Sequence, residues 1–207
     1  MNSKPTNITL ATFNCRSIKR SAEQLKKLSE NVDILVLQET WLLPHDLGFV
    51  NGLSQHVQFS CIAKSAVDTS TGILKGRPYG GLALMWCKSL FPSVSIIDCT
   101  SDRLAAVQID LGGRHILVMT VYLPFDDGNE DCLADFIACL GSIEAVITDS
   151  DIEAIYVLGD FNAHCGTRFG NELLAFCTDY SLVCVDTEVL APDTFTHINM
   201  TAGLIVG

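Results

Sequence analysis

The sequence predicts an α/β fold: two packed mixed β-sheets flanked by helices. Two observations carry that prediction. Short apolar runs bounded by turn residues, which read as buried strands, alternate with amphipathic helical stretches in both halves of the chain, and strands mixed with crossover helices pack as layers around one core. Several of these runs also end abruptly in a carboxylate or an amide. Ile34-Leu35-Val36-Leu37 runs into Gln38-Glu39, and Val157-Leu158 runs into Gly159-Asp160-Phe161-Asn162.

Residues 8–14 form the first expected strand, with Ile8-Thr9-Leu10-Ala11-Thr12-Phe13 leading into Asn14. Ser21–Leu28 follows as a helix with Leu25 and Leu28 on one face. Residues 33–39 are the next strand and complete a β-α-β unit, right-handed if its strands are parallel neighbours. From Trp41 to Pro78 the pattern is irregular and rich in Asp, Ser, Thr and Gly. It reads as a long loop region, where function often resides in a compact domain. Strands are then expected from Gly80 to Trp86, Val94–Cys99, Ala105–Leu111 and His115–Tyr122, with Gly112-Gly113 as a tight turn. Residues 130–147 predict a helix whose stripe of Leu133, Phe136, Ile137, Leu140, Ile143 and Ile147 packs into the core. Ala154–Phe161 reads as a strand, 171–178 as a short helix and Leu182–Val185 as another strand. No linker, repeat or low-complexity tract interrupts the chain, so one domain is expected over residues 1–207.

With 48% hydrophobic and 18% charged residues, the chain can bury a sizeable core and is not a disordered segment. Thirteen basic against 24 acidic residues give a formal charge of −11. Phosphate contacts supply most non-specific DNA affinity, so a nucleic-acid binder would be expected to show a basic face. The acidic balance argues for a small phosphate ester as substrate, or for basic partners elsewhere. A metal-dependent nuclease stays open, because a bound metal supplies local positive charge. The nine cysteines include no C-x-x-C pair, and several lie in apolar stretches such as Val183-Cys184-Val185. They read as reduced, buried thiols in an intracellular protein, nuclear or cytoplasmic. The first residues lack an apolar signal core, and no apolar run approaches the ~20 residues that span a bilayer. A soluble, non-secreted monomer without a membrane partner is expected.

The strand ends gather two carboxylates, Glu39 and Asp160, and two amides, Asn14 and Asn162. Such a polar cluster suits a hard cation and a phosphate. With no convergent His/Cys set, Mg²⁺ or Mn²⁺ is expected rather than zinc.

Taken in order, Asn14, Gln38-Glu39, Tyr79-Gly80-Gly81, Tyr122-Leu123-Pro124, Gly159-Asp160-Phe161-Asn162 and Thr194-Phe195-Thr196 resemble the ordered motifs of the endonuclease/exonuclease/phosphatase superfamily. That superfamily includes abasic-site endonucleases, deoxyribonuclease and inositol-phosphate phosphatases. The wording of Phe13-Asn14-Cys15-Arg16-Ser17-Ile18, Val121-Tyr122-Leu123-Pro124 and Gly159-Asp160-Phe161-Asn162-Ala163-His164 is similar to the endonuclease domain of non-LTR retrotransposon polyproteins. The resemblance covers essentially the whole chain. It implies a four-layer α/β sandwich that hydrolyses phosphodiesters with Mg²⁺ by nicking DNA, fused in a full-length form to a reverse transcriptase domain.

The resemblance also implies roles. Glu39 would ligate Mg²⁺, and Asn14 would hold that metal site and the attacking water's surroundings. Asp160 would orient and deprotonate the water, and Asn162 would bond a non-bridging phosphate oxygen. Tyr122 would contact the scissile phosphate, and Thr194 the strand backbone or the site's hydrogen-bond network. Arg77, near Tyr79, would line the substrate groove. Two alternatives stand beside this reading: a phosphatase acting on small phosphate esters or lipid head groups, and a non-catalytic remnant that keeps the fold. The family pattern normally continues with an Asp shortly after the Thr-Phe motif and a terminal Ser-Asp-His. Here no Asp follows Thr196 and no His follows His197. The expectation is therefore a C-terminally truncated copy, missing its last strands and poor or inactive as a catalyst.

Overall fold

Two β-α-β units organise the chain. In the first, β1 (Leu10–Asn14) and β2 (Ile34–Gln38) are parallel neighbours joined through helix α1 (Ala22–Ser29). In the second, β7 (His115–Tyr122) and β8 (Ala154–Asp160) are parallel neighbours joined through α2 (Glu130–Thr148). The computed structural model describes residues 8–54, 58–70, 72, 74, 76–149 and 151–189. Each β-α-β unit is extended by two antiparallel strands. β4 (Leu82–Cys87) lies beside β2, and β3 (Phe59–Lys64) lies beside β4. In the other sheet β6 (Leu104–Asp110) lies beside β7, and β5 (Val94–Ile97) beside β6. The result is the predicted pair of mixed sheets, each of four strands, ordered β1-β2-β4-β3 and β5-β6-β7-β8.

Side-chain alternation along the strands builds the core. On β2, Leu35 and Leu37 face one way, into a cluster with Ile18 and Leu25 beside α1. Ile34 and Val36 face the other way and pack with Leu84, Trp86, Val107, Ile109 and Val118, which joins the two sheets. All five residues of β2 are buried, as befits a central strand covered on both faces. The Gly112-Gly113 turn forms as predicted, both residues at positive φ (69° and 93°), with Leu111 N–H donating to Arg114 O at 2.9 Å.

Three expectations need correction. The region 41–78 is not one long loop: it holds a 3-10 helix (Pro44–Gly52) and the strand β3. Phe-Ser-Cys-Ile-Ala-Lys has no apolar/polar alternation because every residue of this edge strand is half-buried. On α2 the buried face is Phe136, Cys139, Leu140, Ile143 and Val146, while Ile137 is 46% exposed. Finally, Leu182–Val185 is not a strand. Leu182 N–H donates to Cys177 O, closing the preceding helix, and α4 (Val185–Val189) begins there instead.

Internal contacts divide the chain into residues 1–163 and 164–207, although no change of composition marks that boundary. In the second unit α3 (Arg168–Asp179) starts at Thr167, whose hydroxyl accepts the Gly170 N–H at 3.1 Å. This helix buries Phe169 and Cys177. Among the described residues no helix is long and apolar enough to cross a membrane, and no disulfide joins any of the nine cysteines.

Candidate active site

Register brings the polar strand ends to one level. Asn14 stands opposite Gln38 in the β1–β2 ladder, and Tyr122 opposite Asp160 in the β7–β8 ladder. Along each of these strands every second residue faces the other sheet, and the sequence there runs from apolar to polar. The inward series are Leu10-Thr12-Asn14, Ile34-Val36-Gln38, Val118-Thr120-Tyr122 and Leu158-Asp160.

The half-buried amide of Asn14 ties the two sheets together at this level. Its Nδ2 donates to Glu39 Oε1 and to Asp160 Oδ2, each at 2.8 Å. Its Oδ1 accepts the Arg16 N–H at 3.3 Å. Glu39 lies one residue beyond β2 with φ +51°, a left-handed conformation that is uncommon outside glycine. Backbone contacts hold it there: Ser17 N–H donates to Glu39 O, Thr40 N–H to Gly81 O and Trp41 N–H to Gly80 O, at 2.9–3.2 Å. The second carboxylate oxygen of Glu39 accepts the Trp41 indole N–H at 3.3 Å. These contacts explain the glycine pair at 80–81. Both residues have positive φ, and a Cβ on Gly81 would stand 2.7 Å from Thr40 Oγ1.

Asp160 is fixed from its other side. Its Oδ1 accepts the Asn162 N–H at 3.2 Å, and Asn162, itself at φ +49°, donates from Nδ2 to Leu123 O at 2.8 Å. Just before it, Gly159 has φ +146°, and a Cβ there would collide with Val121 O on the neighbouring strand. Tyr122 lies among these charges. Burial first, then the Glu39 and Asp160 carboxylates, push its phenol up to about 12, while Arg103 and Arg16 pull the other way. The phenol therefore keeps its proton at neutral pH and can donate it in a hydrogen bond.

Asn14, Glu39, Tyr122, Asp160 and Asn162 thus meet at one end of the two sheets. Arg77 lies to one side, its guanidinium 5.2 Å from the centre of the Trp41 ring. Thr194 lies outside the described residues. Sequence reading missed Arg103, whose Nη1 donates to Tyr122 O at 3.2 Å with its guanidinium 6.0 Å from the tyrosine ring. It immediately precedes β6, and only the pairing of Leu104 with Val121 reveals that it sits across from Tyr122. Trp41 was missed for a similar reason, since its indole reaches Glu39 through a turn. Among the described residues no group of three or more His, Cys, Asp or Glu side chains is placed to hold a metal ion. Two carboxylates beside oxygen-bearing amides are a donor set for a hard ion, which takes one or two carboxylates and completes its shell with water and phosphate.

A sequence profile of the Endonuclease/Exonuclease/phosphatase family matches residues 11–195. No curated protein sequence matches the chain. Among solved structures, the endonuclease domain of TRAS1, a telomere-specific non-LTR retrotransposon, is similar with a TM-score of 0.58 at 13% identity, over 84% of this chain and 70% of that one. Beta toxin from Staphylococcus aureus gives 0.56 at 14% identity, over 82% and 71%. The D. rerio TDP2 structure complexed with a single-strand DNA product gives 0.52 at 17% identity, over 84% and 65%. These likenesses are of fold. The chain spans 58% of the length of the 3′ phosphatase NExo from Neisseria, at 21% identity over 76% of this chain and a TM-score of 0.48.

Proposed function

The chain belongs to the endonuclease/exonuclease/phosphatase family, and on that premise we propose that the cluster around Asn14 is a phosphodiesterase centre that nicks DNA with Mg²⁺. The observation that carries this reading is the shared amide. One nitrogen, Asn14 Nδ2, stands 2.8 Å from a carboxylate of each β-α-β unit and holds two acidic groups side by side. Adjacent carboxylates repel one another, so a site built this way favours a cation between them and a substrate that brings a phosphate.

In this reading Glu39 would hold the Mg²⁺, with Asn14 keeping that site in shape, and a bound ion would supply positive charge at the scissile phosphate. Asp160 orients the attacking water and takes its proton, its own oxygens fixed by Asn14 and Asn162. Asn162 carries two amide protons, of which Leu123 O takes one, leaving the other for a non-bridging oxygen. Tyr122, kept protonated, donates to the phosphate, and Arg77 lines the groove beside Trp41. Thr194 is assigned to the substrate backbone or the site's hydrogen-bond network on its motif alone. The motif wording and the TRAS1-like fold support a retroelement origin, with fusion to a reverse transcriptase domain in a longer form. The DNA product in the TDP2 structure supports a nucleic-acid substrate.

The net charge of −11 favours a second reading, a phosphatase for small phosphate esters. One experiment separates the two. Purified protein with Mg²⁺ is given supercoiled plasmid and, separately, inositol phosphates. Relaxed circles that disappear with Glu39→Gln support the nuclease. Release of inorganic phosphate without nicking supports the phosphatase, and neither product marks a non-catalytic remnant. The metal is tested by calorimetric titration. Mg²⁺ or Mn²⁺ binding should be lost in Glu39→Gln, and tight zinc binding that survives this substitution would contradict the assignment.

A further inference from the structure

We infer that Gln38 is a positioning residue whose buried amide sets the offset between the two sheets and so holds Asn14 and Glu39 against Asp160; the inference rests on the reading of that cluster as a hydrolytic site. Gln38 is 1% exposed and Thr120 0%. The Gln38 amide is used at both ends. Its Oε1 accepts the Thr12 hydroxyl at 3.1 Å, and its Nε2 donates to Thr120 Oγ1 at 3.0 Å. It therefore spans β1, β2 and β7, crossing from one sheet to the other.

Below this level the sheets meet through apolar side chains such as Val36, Leu84, Val107 and Val118. Apolar packing is non-directional, so it holds the sheets together without fixing a fine offset along the strands. A hydrogen bond has a narrow distance and angle range and does fix it. The placement of the amide matters as well. Gln38 is opposite Asn14 and adjoins Glu39, while Thr120 is opposite Leu158. Tyr122 and Asp160 each follow two residues further on the same faces, about 7 Å along the strands. The Asn14–Asp160 and Gln38–Thr120 bonds thus leave one sheet from paired positions and reach the other two residues apart.

Stability alone does not require this polar pair, because replacing both partners of a buried hydrogen bond by apolar groups of the same shape can be nearly neutral. Geometry gives it a use: a misplacement of about 1 Å in a catalytic constellation can cost about 10²-fold in rate.

The test uses Gln38→Met with Thr120→Val, which removes both partners at similar volume, together with the single substitutions Thr120→Val and Thr120→Ser. Three quantities are read: the melting temperature, the exchange of the Asn14 side-chain amide protons by NMR, and the split between kcat and KM for plasmid nicking. The double variant should melt near the wild-type temperature and exchange its Asn14 protons faster. Its kcat should fall by about 10²-fold with KM unchanged. Thr120→Ser, which keeps the hydroxyl, should stay on the wild-type side of Thr120→Val in both exchange and kcat. A folded double variant with wild-type exchange and kcat overturns the inference, and so does Thr120→Ser behaving like Thr120→Val. Should the double variant fail to fold, the Ser and Val variants decide the matter by the same signals. Should the wild type hydrolyse nothing, the proposed function fails, and the Asn14 exchange still decides whether Gln38 positions it.

Discussion

The two β-α-β units bring their acidic residues to the site by different means. In β7–α2–β8 two residues of the proposed site, Tyr122 and Asp160, lie inside the ladder, and Asn162 stands two residues past it. Asp160 is opposite Tyr122, and Gly159 lets the two backbones come so close that any side chain would strike Val121 O. In β1–α1–β2 only Asn14 lies in the ladder. Glu39 stands one residue past it, at positive φ, held by Ser17, Trp41 and the Gly80-Gly81 segment. One carboxylate is placed by strand register and the other by a braced turn. Register is a property of the whole sheet, whereas a turn depends on a few hydrogen bonds. The Asp160 side should therefore be sensitive to backbone volume, and the Glu39 side to the loss of single polar contacts.

The largest effect should come from Gly159→Ala. A positive φ and a collision with backbone act together there, and destabilisation of more than about 4 kcal/mol is expected in urea titrations. Gly113→Ala, also at positive φ but with nothing within 4 Å of an added Cβ, should cost only about 1 kcal/mol. Equal costs at the two positions would remove the claim that close register places Asp160. Next, Asp160→Asn should leave the fold intact and lower phosphodiester hydrolysis by about 10²–10³-fold, the scale for loss of one preorganised group.

On the other half, Asn14→Ala leaves Glu39 and Asp160 without their shared donor. A stability loss of about 1–3 kcal/mol is expected from thermal unfolding. The smallest effect concerns Tyr122. Burial and the two carboxylates push its phenol up to about 12 in the folded protein, against about 10 in an unfolded chain. The folded state thus holds this proton more tightly. The stability it contributes is complete below pH about 10 and is lost as pH rises from there towards 12. Ultraviolet titration should find Tyr122 titrating late, and Glu39→Gln should bring it lower by removing a negative charge that belongs to the opposite unit.

Much of this was legible in the sequence because apolar strands that end in a polar residue announce both the strand and the level of the site. Asn14, Glu39, Tyr122, Asp160 and Asn162 were found that way. What the sequence hid depended on pairing across strands. Arg103 sits beside Tyr122 only because Leu104 pairs with Val121. Thr120 looks like any polar residue of an apolar strand until Gln38 is seen opposite it. β3 lacks alternation, so its composition resembles the loops around it. On α2 a run of apolar residues on adjacent faces allowed two stripes, and the choice between Ile137 and Cys139 is made by packing. Leu182–Val185 has the composition of a strand, but its first residue caps a helix.

In the proposed centre Glu39 and Asp160 work as one unit assembled across two sheets. Its most direct test is a double-mutant cycle on Mg²⁺-dependent phosphodiester hydrolysis with Glu39→Gln, Asp160→Asn and both together. Groups that act as a unit are strongly non-additive. The double variant should therefore be about as slow as the slower single variant. A double variant whose loss equals the product of the two single losses would show that the carboxylates act independently, and no shared unit would then exist.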